Sequence, residues 1–445
     1  MAFLPRLNTR VLELWRRPPQ AEPPRPTPVI GPPAPFRADA FEPTRRAPVD
    51  LGRAPDAPAP ASSVVTDFNQ RRLDARKSTD DALHTVDDMM GFDPGQKGPV
   101  GQALDALGGL LGRHSDPPRF REWAGDGMKP ATAWPLSQLL GGELDHAIVG
   151  GDFKRADAVI QELEKYKQDG AYAPEPVSTA GTDQQRYYDD NAWIGLDLVQ
   201  AYRQSGDRKY LEKAEALVPF LEKGFQPGGG ILWRENDERP TLNTCANAPA
   251  MQLFLALHQE TGNARYLDDA KHCETVLNGT LRRSDGLYDD NVVAKDPSQR
   301  SDWTFSYNQG SAIGANLQFA QASTDPKERE RYLGLAKETA DATLKKLEQD
   351  PDWLWKQSPA FNAVYFRNLM KLDAVQPDPR YRAALDAYVD RAQRDGRAGN
   401  GAYESGGIGR YGGEDPGGLR LIDQGGMAQI LALGGMSSAE LAKLG

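Results

Sequence analysis

One segment type returns through the chain: a polar turn, often Gly-Asp or Gly-Asn, then an aromatic residue that opens an amphipathic run. Its forms are Gly151-Asp152-Phe153, Gly206-Asp207-Arg208-Lys209-Tyr210, Gly262-Asn263-Ala264-Arg265-Tyr266, Glu330-Arg331-Tyr332 and Asp378-Pro379-Arg380-Tyr381. The anchors Phe153, Tyr210, Tyr266, Tyr332 and Tyr381 are 57, 56, 66 and 49 positions apart. That length suits two helices and their turns, with glycine supplying the left-handed residue that ends one helix and Asp or Asn capping the next. From Ala131 onward apolar residues recur at three and four positions, and no period-2 run of β-branched residues appears, so the domain is all-α. Five anchored hairpins and a last helix around Gly425–Leu433 make six. Six hairpins close into an (α/α)6 helical toroid, whereas fewer leave an open solenoid with apolar ends.

The ends of the chain read differently. Between Pro18 and Pro60 lie 14 of the 34 prolines, which oppose helix and sheet alike. Residues 1–63 are expected to be a disordered Pro/Ala/Arg-rich tail, 64–118 a weakly helical linker, and 119–445 the (α/α)6 domain. The first ten residues, broken by Pro5, Arg6 and Arg10, are no standard secretory signal, and no apolar stretch reaches the length of a membrane span. Val11–Trp15 is a short amphipathic stretch that reads as a solvated terminus or a contact with a partner or membrane. The net charge of −10 opposes a nucleic-acid surface. Cys245 and Cys273 read as two buried small hydrophobes, able to pair only if their helices are neighbours.

The inter-repeat loops are rich in Gly, Asp, Asn, Tyr and Trp: Tyr187–Trp193, Gly228–Asn243, Gly286–Asn291, Trp303–Gly310 and Gly401–Gly418. If hairpins alternate inner and outer helices, these loops emerge at one end and line a common cleft. Asp189 and Asp190 stand just before a helix. They read either as a cap with a second carboxylate in a favourable dipole field, or as an acid and a nucleophile whose pKa values are split by repulsion and an apolar wall. Around them, Tyr188, Trp193 and Trp233 offer aromatic surface for a pyranose, with Trp233 after a flexible glycine run. Asn243, Asp289, Tyr307, Asn308 and Gln309 offer hydroxyl, carboxylate and amide groups for sugar hydroxyls. None of the five histidines pairs with carboxylate or cysteine at metal-ligand spacing, and phosphate-loop, dinucleotide and serine-elbow motifs are absent. No metal or organic cofactor is expected.

Taken in order, these loops resemble glycoside hydrolase family 76, the bacterial endo-α-1,6-mannanase-like enzymes. The likeness runs through Tyr188-Asp189-Asp190-Asn191-Ala192-Trp193, Gly229-Gly230-Ile231-Leu232-Trp233 and Asn243 with its following helix. It continues through Thr261–Lys271, Gly286-Leu287-Tyr288-Asp289 and Ser306-Tyr307-Asn308-Gln309-Gly310, and ends near Phe361–Leu369, covering roughly residues 120 to 435. The resemblance implies an (α/α)6 barrel, retaining endo-action on α-1,6-linked mannan, Asp189 as nucleophile and Asp190 as general acid/base. Family members commonly carry further tryptophans where this chain has Ile194 and Leu232, and nothing before Ala131 matches the family's first helix. An oligo- or polysaccharide of mannan type is the expected partner, and the chain is expected to act as a monomer. Such a substrate suggests an extracellular or periplasmic site. Two other readings stay open: another toroid enzyme of glucuronyl hydrolase or sugar epimerase type, and a non-catalytic glycan-binding protein.

Overall fold

The computed structural model describes residues 62–90, 119–122, 130–399, 401–403 and 419–444. The expectations for Val11–Trp15, for most of the tail and for most of the Gly401–Gly418 loop therefore fall outside the described residues. Among these residues thirteen longer helices carry the architecture. They are α1 (Ser62–Met90), α2 (Ala133–Ile148), α3 (Phe153–Leu163), α4 (Tyr188–Ser205), α5 (Arg208–Glu215), α6 (Val218–Lys223) and α7 (Thr244–Thr261). They continue with α8 (Ala264–Val276), α9 (Ser306–Ala322), α10 (Pro326–Gln349), α11 (Pro359–Val375), α12 (Pro379–Arg391) and α13 (Leu421–Gly435).

The recurring turns do what their residues dictate. Asp152, Asp207, Asn263, Asp325 and Asp378 each cap a helix, the side chain accepting from the backbone N–H two residues on. Gly206 and Gly262, at φ 71° and 70°, end α4 and α7 in the left-handed conformation. The tyrosine anchors are buried, and two of them reach back to the preceding outer helix: Tyr210 donates to Asp157, and Tyr266 donates to Glu215 at 2.9 Å.

Six helices form an inner ring. α2 packs on α4, α4 on α7, α7 on α9, α9 on α11, α11 on α13, and α13 returns to α2. The inner helices are buried on nearly every face; in α7 every residue from Thr244 to Leu257 is buried. Around them α3, α5, α8, α10 and α12 pack on α2, α4, α7, α9 and α11 in turn. The sixth outer position is taken by α1, which packs mainly on α13. This helix comes from the stretch read in the sequence as a weakly helical linker, and residues 60–445 form one unit. Arg72 pairs with Glu440 and Arg76 donates to the Gly150 carbonyl at 2.8 Å, so polar contacts supplement a modest apolar face.

All six inner helices start at the same rim. The Ala133 N–H donates to Pro174 O, Thr244 N–H to Asp290 O, and Leu421 N–H to Glu122 O, at 2.9–3.0 Å. Four hairpins are tied there by one device. The fourth residue of the inner helix is an amide that gives and takes one bond with a single backbone residue: Asn191 with Tyr172, Asn247 with Ile231, Gln309 with Tyr288 and Gln424 with Tyr403. A planar amide carries both donor and acceptor, so one side chain satisfies both backbone polar groups of a buried residue. At the same rim a small antiparallel sheet joins β1 (Thr241–Asn243), β2 (Asn291–Val293) and β3 (Asp296–Ser301).

Candidate active site

The cap of α4 is Tyr187, which makes no side-chain capping bond, so Asp189 and Asp190 lie inside the first turn and neither caps the helix. Both are half-buried at the ring's mouth. Their surroundings differ sharply. Asp189 Oδ2 accepts the Trp233 indole N–H at 2.9 Å and the Cys245 thiol at 3.3 Å, and its Oδ1 accepts the Asp190 N–H at 3.0 Å. The Asp190 carboxyl has no such donor among the described residues.

Burial pushes Asp189 up to about 6, held back by Cys245, Trp233 and nearby backbone N–H groups. Burial, and then the charge of Asp189, raise Asp190 well above the ordinary carboxylate range. Asp189 therefore ionises first while Asp190 keeps its proton, which is the split a nucleophile and an acid require.

Trp233 is set by its backbone. Its N–H donates to Thr241 O at 3.1 Å and its carbonyl accepts from Tyr188 N at 2.9 Å. Tyr187 meets the indole edge-on at 5.2 Å and the Arg234 guanidinium lies 5.2 Å over it. Its indole thus serves to hold Asp189. The glycine run before it is docked: Gly230 has φ +80° and donates to His272 O at 2.8 Å, and a Cβ there would lie 2.6 Å from Val276.

The other sequence-derived candidates divide into two groups. Tyr307 is half-buried and reaches the Cys245 sulfur. Asn308 donates at 2.9 Å to Asp290, a neighbour of Cys245. Asn243 is the buried cap residue of α7, with its side-chain oxygen unbonded. By contrast, Tyr188 is buried and stacked on Phe220 at 4.8 Å, Trp193 is buried deeper in the ring, and Gln309 is one of the backbone clasps. Asp289 is buried in ion pairs with Arg300 at 2.7 Å and Arg283 at 3.9 Å.

One residue of this mouth escapes sequence reasoning, and a second is offered by it only as part of the Tyr288-Asp289-Asp290 run. Cys245 looked like a small hydrophobe, and only the ring sets it against a carboxylate 56 positions earlier. Asp290 accepts from Asn308 and Asn291, and burial pushes it up to about 6. Within Tyr288-Asp289-Asp290, the β2 hairpin turns Asp289 to the arginines and Asp290 to the mouth; adjacency in sequence carried no signal for which was which. Cys245 and Cys273 are both buried and unpaired with each other. No cluster of three or more potential metal ligands occurs among the described residues. His146 and His258 lie in the last turns of α2 and α7, and His272 packs on Phe225, so none of these reaches the carboxylates.

The donors to Asp189 carry a pH prediction. kcat/KM is expected to rise through about pH 6 as Asp189 ionises and to fall on the alkaline side as Asp190 loses its proton, the two titrating as a coupled pair. Cys245→Ala removes a bond that favours the charged form, so the acid limb moves to higher pH, while Cys245→Ser keeps a donor and leaves it nearly in place. An acid limb unmoved in both Cys245→Ala and Trp233→Phe would show that these donors do not set the ionisation.

Solved structures share the fold. A family 76 glycoside hydrolase from a bovine Bacteroides thetaiotaomicron strain superposes with a TM-score of 0.64 at 23% identity, over 81% of this chain and 77% of that one. An inactive variant of the α-1,6-mannanase GH76A of Salegentibacter sp., with two consecutive aspartates changed to asparagine and α-1,6-mannotriose bound, gives 0.62 at 19%, over 81% and 99%. The cellobiose 2-epimerase of Spirochaeta thermophila gives 0.61 at 14%, over 83% and 99%, so the toroid alone does not decide chemistry. No curated protein sequence matches the chain at a significant level. The model of glycosyl hydrolase family 76 matches residues 108–409, a span that takes in the carboxylate pair and every inner helix but the last. On that match the chain belongs to glycosyl hydrolase family 76 and is a glycoside hydrolase.

Proposed function

We propose that the protein is a retaining hydrolase of α-1,6-mannosidic linkages in mannan or related mannosylated glycans, with Asp189 as nucleophile and Asp190 as general acid/base. The observation that carries the roles is the unequal environment of the pair: two side-chain donors on Asp189, and none on Asp190 among the described residues. Asp190 protonates the departing glycosidic oxygen while Asp189 attacks the anomeric carbon and forms a glycosyl-enzyme. Asp190, now ionised, takes one proton from a water whose oxygen attacks the same carbon; the bond to Asp189 breaks, and the pair is back in its starting state, Asp190 protonated and Asp189 ionised. The α-1,6 linkage rests on family membership together with the α-1,6-mannotriose held by the Salegentibacter mannanase variant.

The test is release of reducing ends from linear α-1,6-mannan, compared with α-1,2- and α-1,3-linked mannans, with NMR of the first-formed product. The α-anomer is expected. An initial β-anomer would remove the nucleophile assignment, and saturable mannan binding without turnover would leave a glycan-binding protein.

A further inference from the structure

Ile194 is fully buried in the core and Leu232 is tied to Gly224, so neither place where family members commonly carry a further tryptophan offers an aromatic ring. Aromatic surface stands elsewhere at the mouth. Trp134 from α2 meets Phe361 from α11 at 5.7 Å and Tyr307 from α9 at 6.5 Å, although α2 and α9 occupy opposite places in the ring. From Tyr307, whose side chain reaches the Cys245 sulfur beside Asp189, the contacts run outward. Tyr307 lies 5.8 Å from Phe305, and Phe305 lies 5.5 Å from Trp303. Each step is comparable with the span of one pyranose residue. Trp303 ends the row 51% exposed, one of three large exposed hydrophobic side chains among the described residues. Its backbone is held on both sides, Asp302 O accepting from Arg283 and Thr304 O accepting from the Trp353 indole at 3.2 Å.

We propose that Trp303, carried on Phe305 and Tyr307, is a distal platform that stacks on the hexose chain beyond the units at the carboxylate pair and makes the site favour long chains. The inference rests on the glycosidase reading above. An exposed indole whose backbone is already fixed loses little freedom when a ring stacks on it, whereas a 1,6-linked chain gains order that the inner subsites alone do not impose. Continuity with the carboxylate pair through ring contacts is what distinguishes Trp303 from the other exposed hydrophobics, Leu73 on α1 and Val375 at the end of α11.

The test uses the full chain and the ratio of kcat/KM for an α-1,6-mannohexaose to that for the triose. Trp303→Ala is expected to lower that ratio about ten-fold, and Trp303→Phe by a smaller factor. A ratio that stays the same in Trp303→Ala overturns the proposal, whatever happens to the individual rates. If the unmodified protein cleaves no member of the series, the functional reading fails. The platform is then judged by tryptophan fluorescence titration with the same oligosaccharides. Saturable quenching present in the unmodified protein and lost in Trp303→Ala sustains it, and quenching that is absent or kept in the variant overturns it.

Discussion

Replacing Asp189 or Asp190 by asparagine is expected to lower kcat on mannan by at least about 10^3-fold, because in the proposed mechanism each removes a group that bonds to, or exchanges a proton with, the reacting atoms. The two losses differ in kind. In the smaller Asp190→Ala variant, azide attacks a glycosyl-enzyme and yields a glycosyl azide of retained configuration. In Asp189→Ala it takes the place of the nucleophile and yields the inverted product. Exchange of these products would reverse the roles. Stability is expected to move the other way. The folded-state pKa values of both acids lie above their unfolded values, so the folded protein binds more protons in the window above about pH 4. Stability from this pair is full below that pH and is lost as pH rises through the folded values. At pH 7.5 each asparagine variant, with one buried titratable carboxyl fewer, should therefore melt higher, by about 2 °C. Equal or lower melting temperatures across the pH range would mean that burial of the pair costs the fold nothing.

Arg367→Met is expected to destabilise the domain by about 3–5 kcal/mol, because it strands a buried charge. Arg367 on α11 pairs with Asp145 on α2 from across the lumen, past the intervening α13. Asp145 is fully buried and burial pushes it up to about 6 even with the guanidinium beside it. The same guanidinium also draws down Asp197, which burial pushes to about 7. The double variant Asp145→Asn/Arg367→Met should recover most of the loss. The single-variant penalty should be largest near neutral pH and shrink below about pH 6, where Asp145 takes up a proton. Chemical denaturation at pH 5 and pH 8 measures this, and equal penalties at the two values would assign Arg367 a packing role instead.

The sequence by itself determined the helical class, the repeat and its turns. A cap such as Asp207 or a left-handed glycine such as Gly206 acts on backbone groups within a few residues, and a buried anchor such as Tyr210 follows from a local period. It also placed the carboxylate pair at a helix start, though as readily a cap as a reactive site. Only the tertiary structure removes the cap reading, since Tyr187 takes that place, and it alone separates Asp189 from Asp190, because the donors that do so stand 44 and 56 positions away, at Trp233 and Cys245. Asp290 rather than Asp289 faces the mouth, Gln309 clasps a backbone, and α1 completes the outer layer, each through contacts between segments far apart in the chain. Local preferences propagate over a turn or two of helix. Which side chains meet at the mouth depends on ring closure, and that is a property of all six inner helices together.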